Sequence, residues 1–520
     1  VTYSTIVRGG TLFDGVSPLP TLSDLRLEAG EVVEVGHNLA VDGARVVDAH
    51  GQWVLPGFVD AHSHTDAGSL TGEQMELRAL AGVTTDIVGQ DGLGLLPDDT
   101  TSGGHMIETL APLLGLQRVG QFSSVGDYLE AVDAGAYSRV ATLVPHGAVR
   151  SAVMGPSRAV ATDSEAQRMS ARVRRGLAEG AVGVSTGLSY APASAASTEE
   201  LIAVLDGLPA GTPYVTHLRD YGVGFEESLA EAIRICAETN LSLHLSHFHV
   251  SGPGRRGTAA TFERMVTAAP VGTTWDTYPY TSGCTFARSI LPAETQALST
   301  AALLAILRAE PLVAARIRDE LDLVGPGPTV AGGWEVIYLA GEGPAAGRNE
   351  LLSVAERAAS AATTPGSIIL AAIESTEGHA CIVVDHGHVE NVHRLAVSDR
   401  HLVGSDGILG SGVPHPRAAN SFFRFLSWAQ DGIIPVETGT MISRMTGSVA
   451  SRFGLDVGVL RVGAPADILI VDPTQITAGP ERGQHVPRAV QQSFIDGEPI
   501  IRNGSWLGKP LQNLALRKES

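Results

Sequence analysis

Two histidines one residue apart close an apolar run: Phe58-Val59-Asp60-Ala61-His62-Ser63-His64 follows the turn Pro56-Gly57. In an extended chain, residues two apart point to the same side, so both imidazoles can reach one cation. A His-X-His pair alone carries little information, but behind a buried strand it reads as half of a metal site. Two further histidines end apolar runs, His217 in Pro213-Tyr214-Val215-Thr216-His217 and His247 in Leu243-His244-Leu245-Ser246-His247. Neutral imidazole is the commonest zinc ligand, and one from each of several strands suits a shared centre. Each alone reads as a capping or core histidine; the set of four at matching positions reads as ligands. His244 alternates to the other side of its strand and is expected to be structural. Asp406, in Val403-Gly404-Ser405-Asp406-Gly407, can bind metal, take a proton from water and pass it to a leaving nitrogen. Its competing reading is a turn or helix-capping aspartate. His146, in Val144-Pro145-His146-Gly147, is placed to line a pocket as a hydrogen-bonding group.

The elements that must position these residues alternate. Eight candidate strands end near His62, Gln90, His146, Ser185, His217, His247, Tyr280 and Asp406. Helical stretches lie between several of them, Ser164 to Glu179 and Glu226 to Glu238 among them. This is the texture of an α/β chain folded as a (β/α)8 TIM barrel, whose polar strand ends carry the site. Barrel strands are buried on both faces, and the runs Trp53-Val54-Leu55 and Leu402-Val403 are apolar throughout, as such strands are. The stretch from Tyr280 to Asp406 is too long for one crossover and is expected to hold a helical insertion, about 286–400, between strands seven and eight. Short β-branched runs with glycine turns occupy both ends of the chain, which predicts one small β-sandwich built from residues 1–55 and 441–520 around a barrel at 56–440. Segments 251–258 and 325–333, rich in Gly and Pro, read as mobile loops.

A chain of 520 residues has room for a barrel and a second module. Acidic residues outnumber basic ones by 56 to 36, a formal charge of −20 that repels phosphate backbones and anionic lipid. Nucleic acid and membrane are therefore not expected as partners, and nothing in the sequence sets an oligomeric state. Three widely separated cysteines, Cys236, Cys284 and Cys381, suggest neither a disulfide framework nor a zinc ribbon. The first residues carry no basic and apolar signal pattern, and no apolar run reaches bilayer length, so a cytoplasmic enzyme is expected.

The motifs together resemble the D-aminoacylase (N-acyl-D-amino-acid deacylase) branch of the amidohydrolase superfamily. Its likeness is carried by Gly57-Phe58-Val59-Asp60-Ala61-His62-Ser63-His64, Ser185-Thr186-Gly187-Leu188-Ser189-Tyr190 and Thr216-His217-Leu218-Arg219-Asp220. Tyr278-Pro279-Tyr280, Gly404-Ser405-Asp406-Gly407, His415-Pro416-Arg417 and the closing Gly463-Ala464-Pro465-Ala466-Asp467-Ile468 add to it, and the match is weakest between about 286 and 400. The resemblance implies a divalent metal, zinc by preference and one or two ions, held by His62, His64, His217 and His247. It implies Asp406 as catalytic acid and base, and Arg417 with Tyr280 as the grip on a substrate carboxylate. A planar guanidinium fork suits that task, though without the resemblance both would read as a surface ion pair and a core aromatic.

Two positions depart from the branch. Gly89-Gln90-Asp91-Gly92 places Asp91 where the branch has a cysteine that bridges metals. A carboxylate can bridge two cations with harder ligation than a thiolate; the alternatives are a single metal or a site that has left hydrolysis. His249 stands where the branch has a lysine, and is expected to contact substrate or to be inert. The fourth strand, Val184-Ser185-Thr186-Gly187, offers no carboxylated lysine or glutamate. His386, His388, His393 and His401 follow no ligand spacing and are expected in a solvated loop. The expected activity is removal of the acyl group from N-acyl-D-amino acids, small substrates bearing a carboxylate. The alternatives are hydrolysis of another amide (a cyclic imide, a carbamoyl group or a dipeptide-like product) and an inactive barrel that only binds.

Overall fold

The computed structural model describes residues 4–95, 122–269, 272–340, 352–409, 415–482 and 485–518, and it is a mixed α/β structure. The chain opens with β1 (Thr5–Leu12), β2 (Thr21–Glu28), β3 (Glu31–Gly36), β4 (Arg45–Asp48) and β5 (Trp53–Pro56). Strands of this kind form because β-branched and leucyl side chains alternate with polar ones. Val7, Leu25, Leu27, Val32 and Val54 share one apolar cluster, while Glu31 and Val33 are exposed and Arg26 is half-buried. Trp53-Val54-Leu55 therefore does not join the central strands that its apolar run suggested. β5 pairs with β1, and the chain leaves this sheet at Gly57, where a Cβ would lie 2.0 Å from Thr84 Oγ1.

The central strands follow: β6 (Phe58–Asp60), β7 (Ser63–His64), β8 (Val83–Val88), β9 (Arg139–Thr142), β10 (Val144–Pro145), β11 (Val184–Gly187), β12 (Pro213–His217), β13 (Ser242–Leu245) and β14 (Thr274–Thr277). All pair in parallel, and every residue of β8 through β13 is buried, as expected of strands covered on both faces. The helix Asp163–Ala178 begins one residue before the predicted start because Thr162 and Glu165 form a reciprocal capping box. The helix Phe225–Thr239 ends at Asn240, in the left-handed conformation that asparagine tolerates.

Between β14 and the last central strand lies the inserted region, with β15 (Ser282–Phe286), β16 (Ile337–Leu339) and β17 (Cys381–Asp385). It was expected to be helical, and it does contain helices Thr300–Ala309, Pro311–Val324 and Pro365–Ser375. Its floor, however, is a three-stranded antiparallel sheet in the order β15-β17-β16. Ile290, Leu303, Ile317, Ile337, Ile369 and Ile382 give it a separate apolar core, so this segment folds upon itself rather than against the central strands. The chain returns through β18 (His401–Val403), parallel to β14, and β19 (Gly407–Ile408), parallel to β7.

After the helix Arg417–Gln430 come β20 (Ile468–Val471), β21 (Val490–Ile495), β22 (Glu498–Arg502) and β23 (Ser505–Trp506). They complete the first sheet in the order β23-β22-β21-β20-β5-β1-β2-β3, with β4 on β1. Strands from both ends of the chain thus form one nine-stranded sheet. Arg139 on β9 bonds Asp467 and Asp496, tying the central strands to it. Among the described residues no helix is long and apolar enough to cross a membrane.

Candidate metal centre

The six residues singled out as ligands or acid–base group all leave the same ends of the central strands. His62 and His64 follow β6, Asp91 follows β8, His217 closes β12, His247 lies two residues past β13, and Asp406 sits between β18 and β19. All six are buried. His62, His64, Asp91 and Asp406 offer ligand atoms within 4.8 Å of one another, and so do Asp91, His217 and His247. Asp91 belongs to both groups. Its Oδ2 lies 3.6 Å from His64 Nε2, 3.7 Å from His217 Nδ1 and 3.6 Å from His247 Nε2, and its Oδ1 lies 3.6 Å from His62 Nε2. Asp406 Oδ1 approaches His64 Nε2 to 3.3 Å.

These donors fit a divalent cation. His62 Nε2 and Asp91 Oδ1 are buried and have no hydrogen-bond partner, which in an apolar interior is unfavourable unless a cation takes up their lone pairs. Imidazole with carboxylate is a donor set suited to zinc and its neighbours.

The backbone is bent to make this convergence. Asp91, His247 and Asp406 adopt φ of 56°, 32° and 49°, a left-handed region that non-glycine residues seldom occupy. Strain of this kind collects at functional sites where the surroundings over-determine the conformation. The surroundings are visible here. Gly187 runs so close to the Asp91 turn that a Cβ would lie 1.9 Å from the Asp91 carbonyl oxygen. Ser185 Oγ accepts from Gly92 N at 3.0 Å and donates to Gly89 O at 2.5 Å, and Asp66 Oδ1 accepts from Gly89 N at 3.1 Å. On the other side, Asp60 accepts from the backbone N–H of both His62 and Ser405, at 3.1 and 2.8 Å, and is paired with the buried Arg78.

The charges of the site oppose its burial. Burial pushes Asp91 up, but His62 and His247 outweigh it and hold the carboxylate well below its usual range. Burial likewise raises Asp406, yet the Arg417 guanidinium brings it down to about 2. For His62 and His64 burial works against the imidazolium, and the carboxylates overcome it. His62 rises well above its ordinary value next to Asp91 and Asp276, and His64 rises to about 9 next to Asp406 and Asp91. His217 is lowered, burial prevailing over Asp91. Ser189 Oγ lies 2.7 Å from its Nε2, and Tyr221 Oη lies 3.2 Å from His247 Nδ1.

A cavity open to solvent reaches the cluster. His249 and Arg417 line it. Arg417 Nη1 lies 2.8 Å from Asp406 Oδ2, and its Nη2 donates to Cys284 O at 2.9 Å. Tyr280 does not line this cavity: its hydroxyl meets Asn420 Nδ2 at 3.3 Å and its ring lies under Arg424. Tyr278 lines it instead, with the Arg417 guanidinium 4.6 Å over its ring and the His249 ring 4.3 Å away. β14 stops at Thr277, so Tyr278 is the first residue past the strand, a position that the repeated Tyr-Pro-Tyr left open. His146 is also absent from the cavity wall; it is fully buried at the start of the helix His146–Met154.

His386, His388, His393 and His401 neither cluster nor sit in one solvated loop. His401 is fully buried on β18, 2.8 Å from Thr277 Oγ1, and His386 lines the cavity while its Nδ1 accepts from Ala331 N at 3.1 Å. His388 meets Gly252 O and His393 packs on Trp428. Asp276, Tyr190 and Tyr221 were missed by the sequence reading, since nothing in their spacing separates them from core residues.

Comparison with known proteins follows the same lines. A sequence profile described as Amidohydrolase family matches residues 45–274. D-aminoacylase of Alcaligenes xylosoxydans xylosoxydans is 29% identical over 518 residues, covering 98% of this chain and 96% of that protein. N-acyl-D-aspartate deacylase of the same organism is 29% identical, covering 91% and 86%. A solved structure of D-aminoacylase, described through its binuclear metal center with one-metal activation and second-metal attenuation, superposes with a TM-score of 0.77. It is 27% identical and covers 99% of both chains.

Proposed function

We propose that the chain is a metal-dependent hydrolase of the amidohydrolase superfamily that removes the acyl group from N-acyl-D-amino acids. The observation that carries this reading is the convergence of four imidazoles on Asp91, with Asp406 and Arg417 paired at the edge of the same cavity. We read the central strands as one eight-stranded TIM barrel. Ala61 N donates to Val403 O and Asp406 N to His62 O, joining the first strand to the last. The nine-stranded sheet then corresponds to the small domain of residues 1–55 and 441–520, with the barrel at 56–440 and its insertion at about 286–400.

His62, His64, Asp91, His217 and His247 would hold one or two divalent ions, zinc by preference. A cation bound there supplies Lewis acidity, polarising a carbonyl and easing the loss of a proton from water. Asp406, kept ionised by Arg417, takes that proton and delivers it to the departing nitrogen. Arg417 offers the fork for the substrate carboxylate, and exchanging Asp406 for that carboxylate would bring substrate and base together. Tyr278, packed beneath the guanidinium, limits its direction, and His249 borders the remaining space. With the carboxylate fixed on one side and the amide over Asp91, a third contact must tell the side chain from the hydrogen on the α-carbon; the wall formed by Tyr278 and His249 supplies it and so selects one stereoisomer.

The test joins elemental analysis of the purified protein to a panel of N-acyl-D- and N-acyl-L-amino acids. The expected result is bound divalent metal, turnover of D-isomers, and a loss in kcat of about 10²- to 10⁴-fold for Asp406→Asn. No bound metal, together with no turnover of any D-isomer, would sink the assignment.

A further inference from the structure

Beneath the cluster lies a carboxylate that reaches none of the cavity. Asp276, on β14, is fully buried and is shared by three histidines. Its Oδ1 accepts from the backbone N–H of His247 at 2.9 Å, the residue held at φ 32°. Its Oδ2 lies 3.0 Å from His244 Nε2 and 3.4 Å from His62 Nδ1, the latter a charge contact rather than a well-aligned hydrogen bond. The neighbouring strand leaves room for it only because residue 404 is glycine, where a Cβ would lie 2.6 Å from Asp276 Oδ1.

Proton positions along this line are fixed from its two ends. Arg452 Nε donates to Thr274 Oγ1 at 2.8 Å, and a guanidinium can only donate. The Thr274 hydroxyl keeps its own proton free, and because ionised Asp276 accepts from His244 Nε2, a neutral His244 accepts the hydroxyl's hydrogen bond at Nδ1, 2.7 Å away. That leaves the His244 proton on Nε2, directed at Asp276. Ionised, Asp276 can only accept, so it favours a proton on His62 Nδ1 as well. The His62 tautomer so selected has its lone pair on Nε2, the atom that faces Asp91 and Asp406.

We propose that Asp276 is the positioning residue of the metal centre: it selects the ligating tautomer of His62, fixes the backbone of His247, and is itself oriented by the donor line Arg452–Thr274–His244. The inference rests on reading the cluster as a metal site. Asp276→Asn tests it. To keep the bond from His247 N–H, the amide must place its oxygen there, which sets its NH2 against His62 Nδ1 and His244 Nε2. His62 can relieve that opposition only by moving its proton to Nε2, where it no longer binds a cation.

The expected result, in competition with a chelator on zinc-depleted protein, is zinc binding about 10- to 100-fold weaker than wild type. The zinc-free protein should still unfold in one cooperative transition, and activity should return at saturating zinc without a change in KM. Thr274→Val, which breaks the line without touching Asp276, should weaken zinc several-fold, and it decides the matter alone if Asp276→Asn does not fold. Wild-type zinc affinity in a folded Asp276→Asn protein, or in Thr274→Val should that be the only folded variant, would overturn the proposal. So would a loss that excess zinc does not restore. Wild-type protein that binds zinc but cleaves no N-acyl-D-amino acid would remove the substrate assignment while these affinities still decide the role of Asp276.

Discussion

At the scale of single residues, His146 shows what a buried imidazole without partners costs. Both of its ring nitrogens are buried without partners. Burial brings it down to about 4, with Glu200 opposing and Arg150 and Arg219 assisting. Above pH 6.5 it is neutral in both folded and unfolded chains and contributes nothing to pH dependence. As pH falls from 6.5 to about 4, the unfolded chain takes up a proton that the folded chain refuses, so stability is lost over that window. Between pH 7 and pH 5 the loss is about 2 kcal/mol. His146→Gln should remove that share of the acid sensitivity, read as a smaller shift in the urea midpoint between the two pH values. An identical shift in variant and wild type would show that other buried histidines carry the effect.

At the scale of elements, the candidate ligands depend on turns more than on strands. The closest approach in the site is that of Gly187 to the Asp91 carbonyl. Gly187→Ala sets its Cβ against the Asp91 carbonyl oxygen. It should destabilise the protein by about 1–3 kcal/mol, as overpacking does, and should also lower zinc occupancy by displacing Asp91. Urea unfolding and elemental analysis separate the two effects; full occupancy with reduced stability would mean that the turn yields without moving its carboxylate. The strands themselves were legible in the sequence. All eight candidates exist near their expected ends, because short β-branched and apolar stretches recur between helical ones, even where Asp86 or Asp276 interrupts them. Where position in the run mattered, legibility failed. Trp53-Val54-Leu55 is as apolar as a central strand but pairs with β1 and β20. Tyr278 and Tyr280 have the same chemistry, and only the end of β14 decides which one meets the cavity. The antiparallel floor of the insertion was not read because its strands are three to five residues long amid stronger helical signals. Asp276 was silent for a different reason: its partners lie 29 and more residues away in sequence.

At the scale of the whole molecule, the cluster is a charge problem that binding resolves. Six ionisable side chains buried together hold each other only by sharing protons. A ligand that binds only the folded state stabilises it by about 4 kcal/mol at a thousand times its Kd. Zinc depletion should therefore lower the thermal midpoint, and the midpoint should climb with the logarithm of free zinc. A midpoint indifferent to zinc would mean that the folded protein holds the ion no better than the unfolded chain does.

The nine-stranded sheet also imposes an order in time. β5 finds one neighbour in β1 within a few dozen residues, but its other neighbour, β20, is made roughly 400 residues later. At the usual pace of synthesis, about 5–20 residues per second, that edge waits on the order of 20 to 80 seconds for its partner. Throughout that wait Val54 and Leu55, both buried in the finished protein, belong to an open strand edge. The central strands emerge in sequence order and can pair as they appear, so the residues of the candidate metal centre are in place before the sheet that closes the molecule exists.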